Sequence, residues 1–120
     1  MMLTIRDEQM AAFQEAMLRR FVPSVAQYLR DRLPERVADL DGAQMRQRVK
    51  EIFGRARKHA IVIEWDLCRY AFLDMILGPN FEARCTWAAP IFSRRDLDAT
   101  QKVAAALEYY LNYLDDSCHV

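Results

Sequence analysis

The stretch from residue 64 to 77 constrains the fold most, because apolar side chains cover almost the whole circumference of the helix that it would form. A helix that is apolar all round has no face for solvent and must be surrounded by other elements. Gly78 and Pro79 follow directly, and glycine then proline is typical of a helix end. The sequence therefore predicts a buried central helix over 64–77. Its apolar members are Trp65, Leu67, Cys68, Tyr70, Ala71, Phe72, Leu73, Met75, Ile76 and Leu77.

The segments before the central helix each carry one apolar face, as helices packed around it should. One face runs over residues 10–21 and another over 22–33. The pattern leaves open whether Pro23 separates two helices or lies within a kinked one. A further helix is predicted over about 43–58.

The last helix is predicted to be the longest, over 94–115, and to start from a capping signal of Ser93 with Asp96. Its apolar residues form two faces, where a surface helix needs only one. The broader face is predicted to pack on the core. It consists of Leu97, Val103, Ala104, Leu107, Tyr110, Leu111 and Leu114.

The narrower face of the last helix consists of Ala105, Tyr109 and Tyr113, at successive spacings of four. Tyrosine suits an interface, because it offers a large rigid contact area and tolerates water when the partner is absent. The same stripe could equally pack on another helix of the bundle. These three residues are therefore candidates for binding a partner protein or a second copy of the chain.

The connection after the central helix, residues 78–92, is unusually apolar for a loop of its length. It must either pack onto the domain or be covered by a partner. Packing with Trp87 as the anchor is the preferred interpretation, but Trp87 and Phe81 also stay candidates for partner binding.

A single all-α domain over residues 1–120 is the predicted architecture, as an orthogonal bundle of about five helices. A chain of 120 residues is near the commonest domain size, which leaves little room for a second core. The short β-branched run 60–63 has no second strand to pair with, so we expect a connection there.

The charges balance over the whole chain, with 17 basic and 17 acidic side chains. Net charge therefore gives no reason to expect nucleic acid or a membrane surface as partner. The first sixty residues nonetheless carry a net charge of +4 and the last sixty a net charge of −4. Packing of the two halves against each other is the preferred explanation, with head-to-tail pairing or a charged partner as the alternative.

No motif for catalysis, for a cofactor or for a metal is found in the sequence. The three glycines are isolated, so there is no phosphate-binding loop. Cys68, Cys85 and Cys118 form neither a CxxC pair nor a Cys/His quartet, so we expect reduced thiols and no metal site. His59 ends a basic helix and is interpreted as a helix-terminal cation. The sequence therefore predicts a protein that is not an enzyme.

The basic run from Arg46 to Lys58 is the strongest argument for nucleic-acid binding. Its members spread around all of the helix that is not apolar, and no aromatic stacking platform accompanies them. A solvated face is the preferred interpretation. A nucleic-acid-binding regulator and an unrecognised enzyme are the lower-ranked alternatives.

The expected compartment is the cytosol, without membrane contact. The start of the chain has no basic segment followed by an apolar run, as a secretory signal would. The most apolar stretch, residues 65–77, is too short and too charged to span a bilayer.

Four short segments, residues 3–13, 66–70, 77–81 and 87–88, carry a family resemblance. Through them the chain resembles small helical bacterial proteins that are encoded beside effectors and spike components of the type VI secretion system. The resemblance covers most of residues 3–92 and is weaker in the last helix. It implies a co-chaperone or adaptor that helps to load an effector onto the spike, with the effector or its chaperone as partner. It could equally imply an immunity protein that neutralises the effector, and it supplies no catalytic residues.

Overall fold

A computed structural model describes the backbone of residues 2–114, and every side chain in that range except those of residues 2–11, 13, 14, 17, 18 and 114. This part of the chain is all-α and contains no β-strand. None of its helices is both long and apolar enough to cross a membrane. The helices are α1 (Met2–Arg32), α2 (Pro34–Val37), α3 (Gly42–Arg57), α4 (Glu64–Leu77), α5 (Phe81–Arg84), α6 (Ala88–Ser93) and α7 (Ala99–Tyr109), followed by a π-helical turn (Tyr110–Leu114).

The predicted central helix is confirmed as α4, which packs against α1, α3 and α7. Tyr70 and Leu73 are completely buried in its middle. Gly78 ends the helix with φ of 95°, a conformation that glycine adopts without strain, and its N–H donates to the carbonyl of Asp74 at 2.8 Å. The core is one cluster that draws on every α-helix.

Trp65 is the exception to the burial predicted for α4, because its side chain is 52% exposed. It lies in the first turn of the helix, where Tyr28 of α1 covers only its edge, with ring centroids 5.7 Å apart. The guanidinium of Arg69 lies 5.6 Å from the centre of the indole ring. One turn of α4 therefore has a large apolar ring facing solvent.

The first helix runs without a break through Pro23, which settles the question that the sequence left open. At 31 residues, α1 and not the last helix is the longest, contrary to prediction. Val25 and Leu29 in its second half are completely buried. That half of α1 therefore forms one wall of the core.

The last helix begins later than predicted, because α7 starts at Ala99 and not at residue 94. Asp98 and Gln101 form the capping box that starts it. The side chain of Asp98 accepts from the N–H of Gln101 at 2.8 Å, and the side chain of Gln101 accepts from the N–H of Asp98 at 2.9 Å. Ser93, the predicted cap, is instead the last residue of α6.

The π-helical turn after α7 changes which side chains face the core. A π-helix has more residues per turn than an α-helix, so the α-helical spacing no longer places residues on the predicted face. Val103 and Tyr110 are buried as predicted, but Leu111 is 57% exposed. The side chain of Leu114 and the predicted end of the helix at 115 lie outside the described residues.

The apolar connection after α4 packs onto the domain, as the preferred interpretation predicted. Within it, α5 and α6 are short helices that contact each other, and α6 contacts α7. Phe81, Cys85, Ala88 and Phe92 are all buried. The run 60–63 is a connection without strand structure, also as predicted.

Candidate functional site

Three of the five candidate partner-binding residues lie together in a row of aromatic rings. Trp87 stacks on Tyr109, with ring centroids 4.9 Å apart and planes 9° apart. Tyr109 in turn contacts Tyr113, with centroids 5.0 Å apart and planes tilted by 45°. We call Trp87, Tyr109 and Tyr113 the aromatic ladder. Contacts between aromatic rings are worth about 0.5–1.5 kcal/mol beyond the area that they bury, so the rings hold one another in place.

The aromatic ladder runs from the edge of the core to the surface. Trp87, just before α6, packs partly against the core cluster. Tyr109, at the end of α7, is half-buried, whereas Tyr113 is 70% exposed. Leu111, between the two tyrosines in sequence, adds a second exposed apolar side chain. This end of the domain therefore combines a fixed inner part with an apolar outer part.

The indole N–H of Trp87 is buried and has no hydrogen-bond partner among the described residues. An unsatisfied buried donor costs about 1–3 kcal/mol. The inner part of the aromatic ladder therefore includes an unsatisfied buried donor.

The other two candidate residues are not part of the aromatic ladder. Ala105 lies one turn before Tyr109 on α7 and is half-buried. Phe81 is completely buried, with its ring centroid 5.4 Å from that of Tyr70 and 5.8 Å from that of Phe92. In this conformation Phe81 belongs to the core and offers no surface to a partner.

A second apolar surface was missed by the sequence analysis. It consists of Val62, Ile63 and Trp65, all exposed, around the start of α4. The only sequence signal for this surface is the β-branched run before α4. That run was predicted to be a connection, and the exposure of its side chains was not predicted.

The second apolar surface and the aromatic ladder lie at opposite ends of the α4–α7 pair. Thr100, at the start of α7, donates a hydrogen bond to Asp66 at the start of α4. Further along, the rings of Tyr110 and Phe72 are 6.3 Å apart. The two helices therefore run in the same direction, with the second surface at their beginning and the ladder at their end.

Two further buried polar groups join α4 to its neighbours, and neither was predicted from the sequence. The two carboxylate oxygens of Asp74 accept from Arg55 of α3 at 2.9 Å each, and Asp74 is completely buried. Nearby, one oxygen of Glu82 accepts from the hydroxyl of Tyr70 at 2.8 Å and lies 2.6 Å from Nε2 of His59. His59 thus has a buried ionic partner and is more than a helix-terminal cation.

The pKa of Glu82 lies below its ordinary value. Burial raises the pKa, but the hydrogen bond from His59, the backbone and the hydrogen bond from Tyr70 together outweigh that effect. Burial, with the charge of Glu82, also raises the pKa of Tyr70, which therefore stays a phenol at physiological pH. His59 and Tyr70 both contact one oxygen of Glu82, and its other oxygen is buried without a hydrogen-bond partner among the described residues.

We expect this carboxylate to make stability depend on pH. A carboxyl whose pKa is lower in the folded chain stabilises the fold above its unfolded-state pKa of about 4.5, and the contribution is lost as the pH falls through the folded value. The difference in the free energy of unfolding between the native protein and Glu82→Gln should therefore shrink as the pH falls below about 5. Urea titrations at several pH values measure it. Glu108→Gln, at an exposed position, is the control. A Glu82→Gln difference that does not change with pH would contradict the assignment.

No group of three or more His, Cys, Asp or Glu side chains within the described part of the chain is placed to hold a metal ion. No family model, no curated protein and no solved structure matches the chain. The fold and the surface define it as an all-α protein with one core and with exposed apolar side chains at both ends of the α4–α7 pair.

Proposed function

We propose that the protein is a non-catalytic accessory protein that binds another protein, and that it acts as a co-chaperone or adaptor in loading a type VI secretion effector. The aromatic ladder is the observation that carries the protein-binding part. The family resemblance of residues 3–92 is the basis for the secretion part.

The chemistry of the aromatic ladder suits a protein contact. Tyr and Trp are enriched among the residues that dominate interface energies, because each buries a large area with few rotatable bonds. Stacking on Trp87 holds Tyr109 in one orientation before any partner arrives, which lowers the entropy lost on binding. The exposed Tyr113 extends this fixed base with apolar area that a partner can cover.

A non-catalytic role is supported by the way the ionisable side chains are used. The described His59 and Glu82 are bound to each other and, through Glu82, to Tyr70. The carboxylate of Asp74 is occupied by Arg55, and that of Asp66 by Arg69 and Thr100. Each of these groups therefore has a structural role within the fold.

Tyr113→Ala should weaken partner binding by about 30-fold, as expected for an interface residue worth about 2 kcal/mol, and leave thermal stability unchanged. Co-purification of the tagged protein with its effector from the native host, followed by calorimetric titration of the identified partner, measures the loss. The matched control is Ile63→Ala, which removes another exposed apolar side chain, from the second apolar surface.

The same experiment separates the alternatives. Binding that survives Tyr113→Ala but is lost in Ile63→Ala would place the contact on the second apolar surface and overturn the ladder as the binding face. An effector recovered with a second chaperone supports the adaptor function. An effector recovered alone, together with protection of cells from its toxicity, supports the immunity function instead. Light scattering of the free protein tests whether the ladder pairs two copies of the chain.

A further inference from the structure

A groove of about 590 Å³ lies between α1 and α3, helices that contribute nothing to the aromatic ladder. Its apolar lining includes Val22 and Ala26 from α1 and Met45 from α3, all mostly buried by the core. Exposed charged side chains surround this apolar floor. They are Arg19, Arg30, Arg46, Lys50 and Glu15.

Among the described side chains, the charges around the groove are unbalanced, with four cations and a single carboxylate. None of the four cations forms an ion pair with a side chain that the structure describes. Like charges gathered around a concave apolar surface focus a positive potential there. The groove is therefore prepared for an anionic partner although the chain as a whole is neutral.

We propose that this groove binds an acidic, amphipathic segment of another protein. An apolar side chain of that segment would cover the exposed Pro23 at the floor of the groove, while its carboxylates pair with Arg46 and Lys50 on one side and Arg19 and Arg30 on the other. The volume lies within the range of about 300–1,000 Å³ that is usual for binding clefts. Two helices with an apolar floor between them are the usual receptor for an amphipathic helix.

A protein segment fits the groove better than a nucleic acid. Single-stranded nucleic acid is held by a basic groove together with aromatic side chains on which bases stack, and no aromatic side chain among those that the structure describes lines this groove. A phosphate backbone also has no apolar group to place on the floor. The combination of apolar floor and cationic rim therefore favours a protein helix that has carboxylates beside an apolar face.

A second copy of this chain is a poor candidate for the occupant, although its last sixty residues carry an excess of acidic side chains. Asp66, Asp74 and Glu82 are buried and hydrogen-bonded. Asp96 pairs with Arg94, and Asp98 caps α7. Most of the described acidic groups in that half are therefore already in use.

Binding of a designed peptide tests this proposal without the effector, so it can fail independently of the proposed function. The probe is a fluorescein-labelled peptide of about 16 residues, with leucines on one helical face and glutamates beside them. Fluorescence anisotropy at low salt should show saturable binding that weakens as ionic strength rises. The acidic peptide is compared with three other probes. They are a peptide with Gln for every Glu, a peptide with Ser for every Leu, and an oligothymidine of similar length.

The double variant Arg46→Glu/Lys50→Glu should weaken binding of the acidic peptide by about tenfold or more. The control variant Lys58→Glu/Arg95→Glu makes the same change in net charge away from the groove. It should weaken binding of the acidic peptide by less than about twofold. Circular dichroism confirms that both variants fold. The proposal is overturned if the acidic peptide does not bind, if the Gln or Ser peptide binds equally well, or if both double variants lose binding alike. Preferential binding of oligothymidine would make the groove a nucleic-acid site.

Discussion

Replacing Arg55 with Met should lower the free energy of unfolding by about 3–5 kcal/mol. Asp74 is completely buried, and both of its oxygens accept from Arg55 at 2.9 Å. Methionine keeps most of the aliphatic stem of Arg55 but removes the guanidinium. The carboxylate is then left as a buried charge without its counterion, and the folded chain must either bear that cost or protonate the group. Chemical denaturation followed by circular dichroism measures the loss.

Two further variants show whether the buried charge causes the loss. In Arg55→Met/Asp74→Leu neither charge remains, so most of the stability should return, because an apolar pair can replace a buried ion pair at little cost. Arg94→Met breaks an ion pair of similar length whose two side chains are exposed, and it should leave stability unchanged within error. If the double variant were as unstable as Arg55→Met alone, lost packing would be responsible and the charge argument would be wrong.

The ion pairs around α4 show what local sequence patterns cannot supply. Arg55 and Asp74 are 19 positions apart, and His59 and Glu82 are 23 apart. Periodicity assigns each residue to a helix face, but which faces meet depends on how the helices pack. Arg55 was therefore predicted to lie on a solvated basic face and His59 at a helix end, although each side chain contacts a buried carboxylate.

The end of a helix could be predicted where the sequence contains only one capping or terminating signal. Gly78 ends α4 as predicted, because a glycine followed by proline fits no helix interior. At the last helix two capping signals lie close together, Ser93 with Asp96 and Asp98 with Gln101. Both have the right spacing, and only the second forms the capping box. Which of the two capping signals starts the helix depends on how the chain between α6 and α7 folds, and the local sequence does not show this.

The aromatic ladder was predictable in part. The spacing of Tyr109 and Tyr113 placed them together on the last helix, as the structure has them. That Trp87 stacks on Tyr109 follows from the packing of α6 on α7, which no local pattern encodes. The exposure of Trp65 could not be predicted for the same reason. A helix with apolar residues all round must be covered by other helices, but the pattern does not show how far each of those helices extends.

Phe81→Ala should also lower the free energy of unfolding by about 3–5 kcal/mol, because it leaves a cavity in a ring cluster that cannot collapse freely. Phe81 is completely buried between Tyr70 and Phe92. Tyr70 is also the hydrogen-bond donor to Glu82, so a shift of its ring would disturb the buried carboxylate as well. Thermal and urea denaturation of the variant measure the effect.

The control for Phe81→Ala is Tyr113→Ala, which removes an aromatic ring of similar size from an exposed position and should change stability by less than about 0.5 kcal/mol. The pair separates the two interpretations that the sequence allowed for the apolar connection. A core residue loses stability when truncated, and any loss of binding then follows from unfolding. A contact residue loses binding and keeps its stability. If Phe81→Ala kept full stability and lost only the partner, α5 would have to open on binding, and Phe81 would be a contact residue after all.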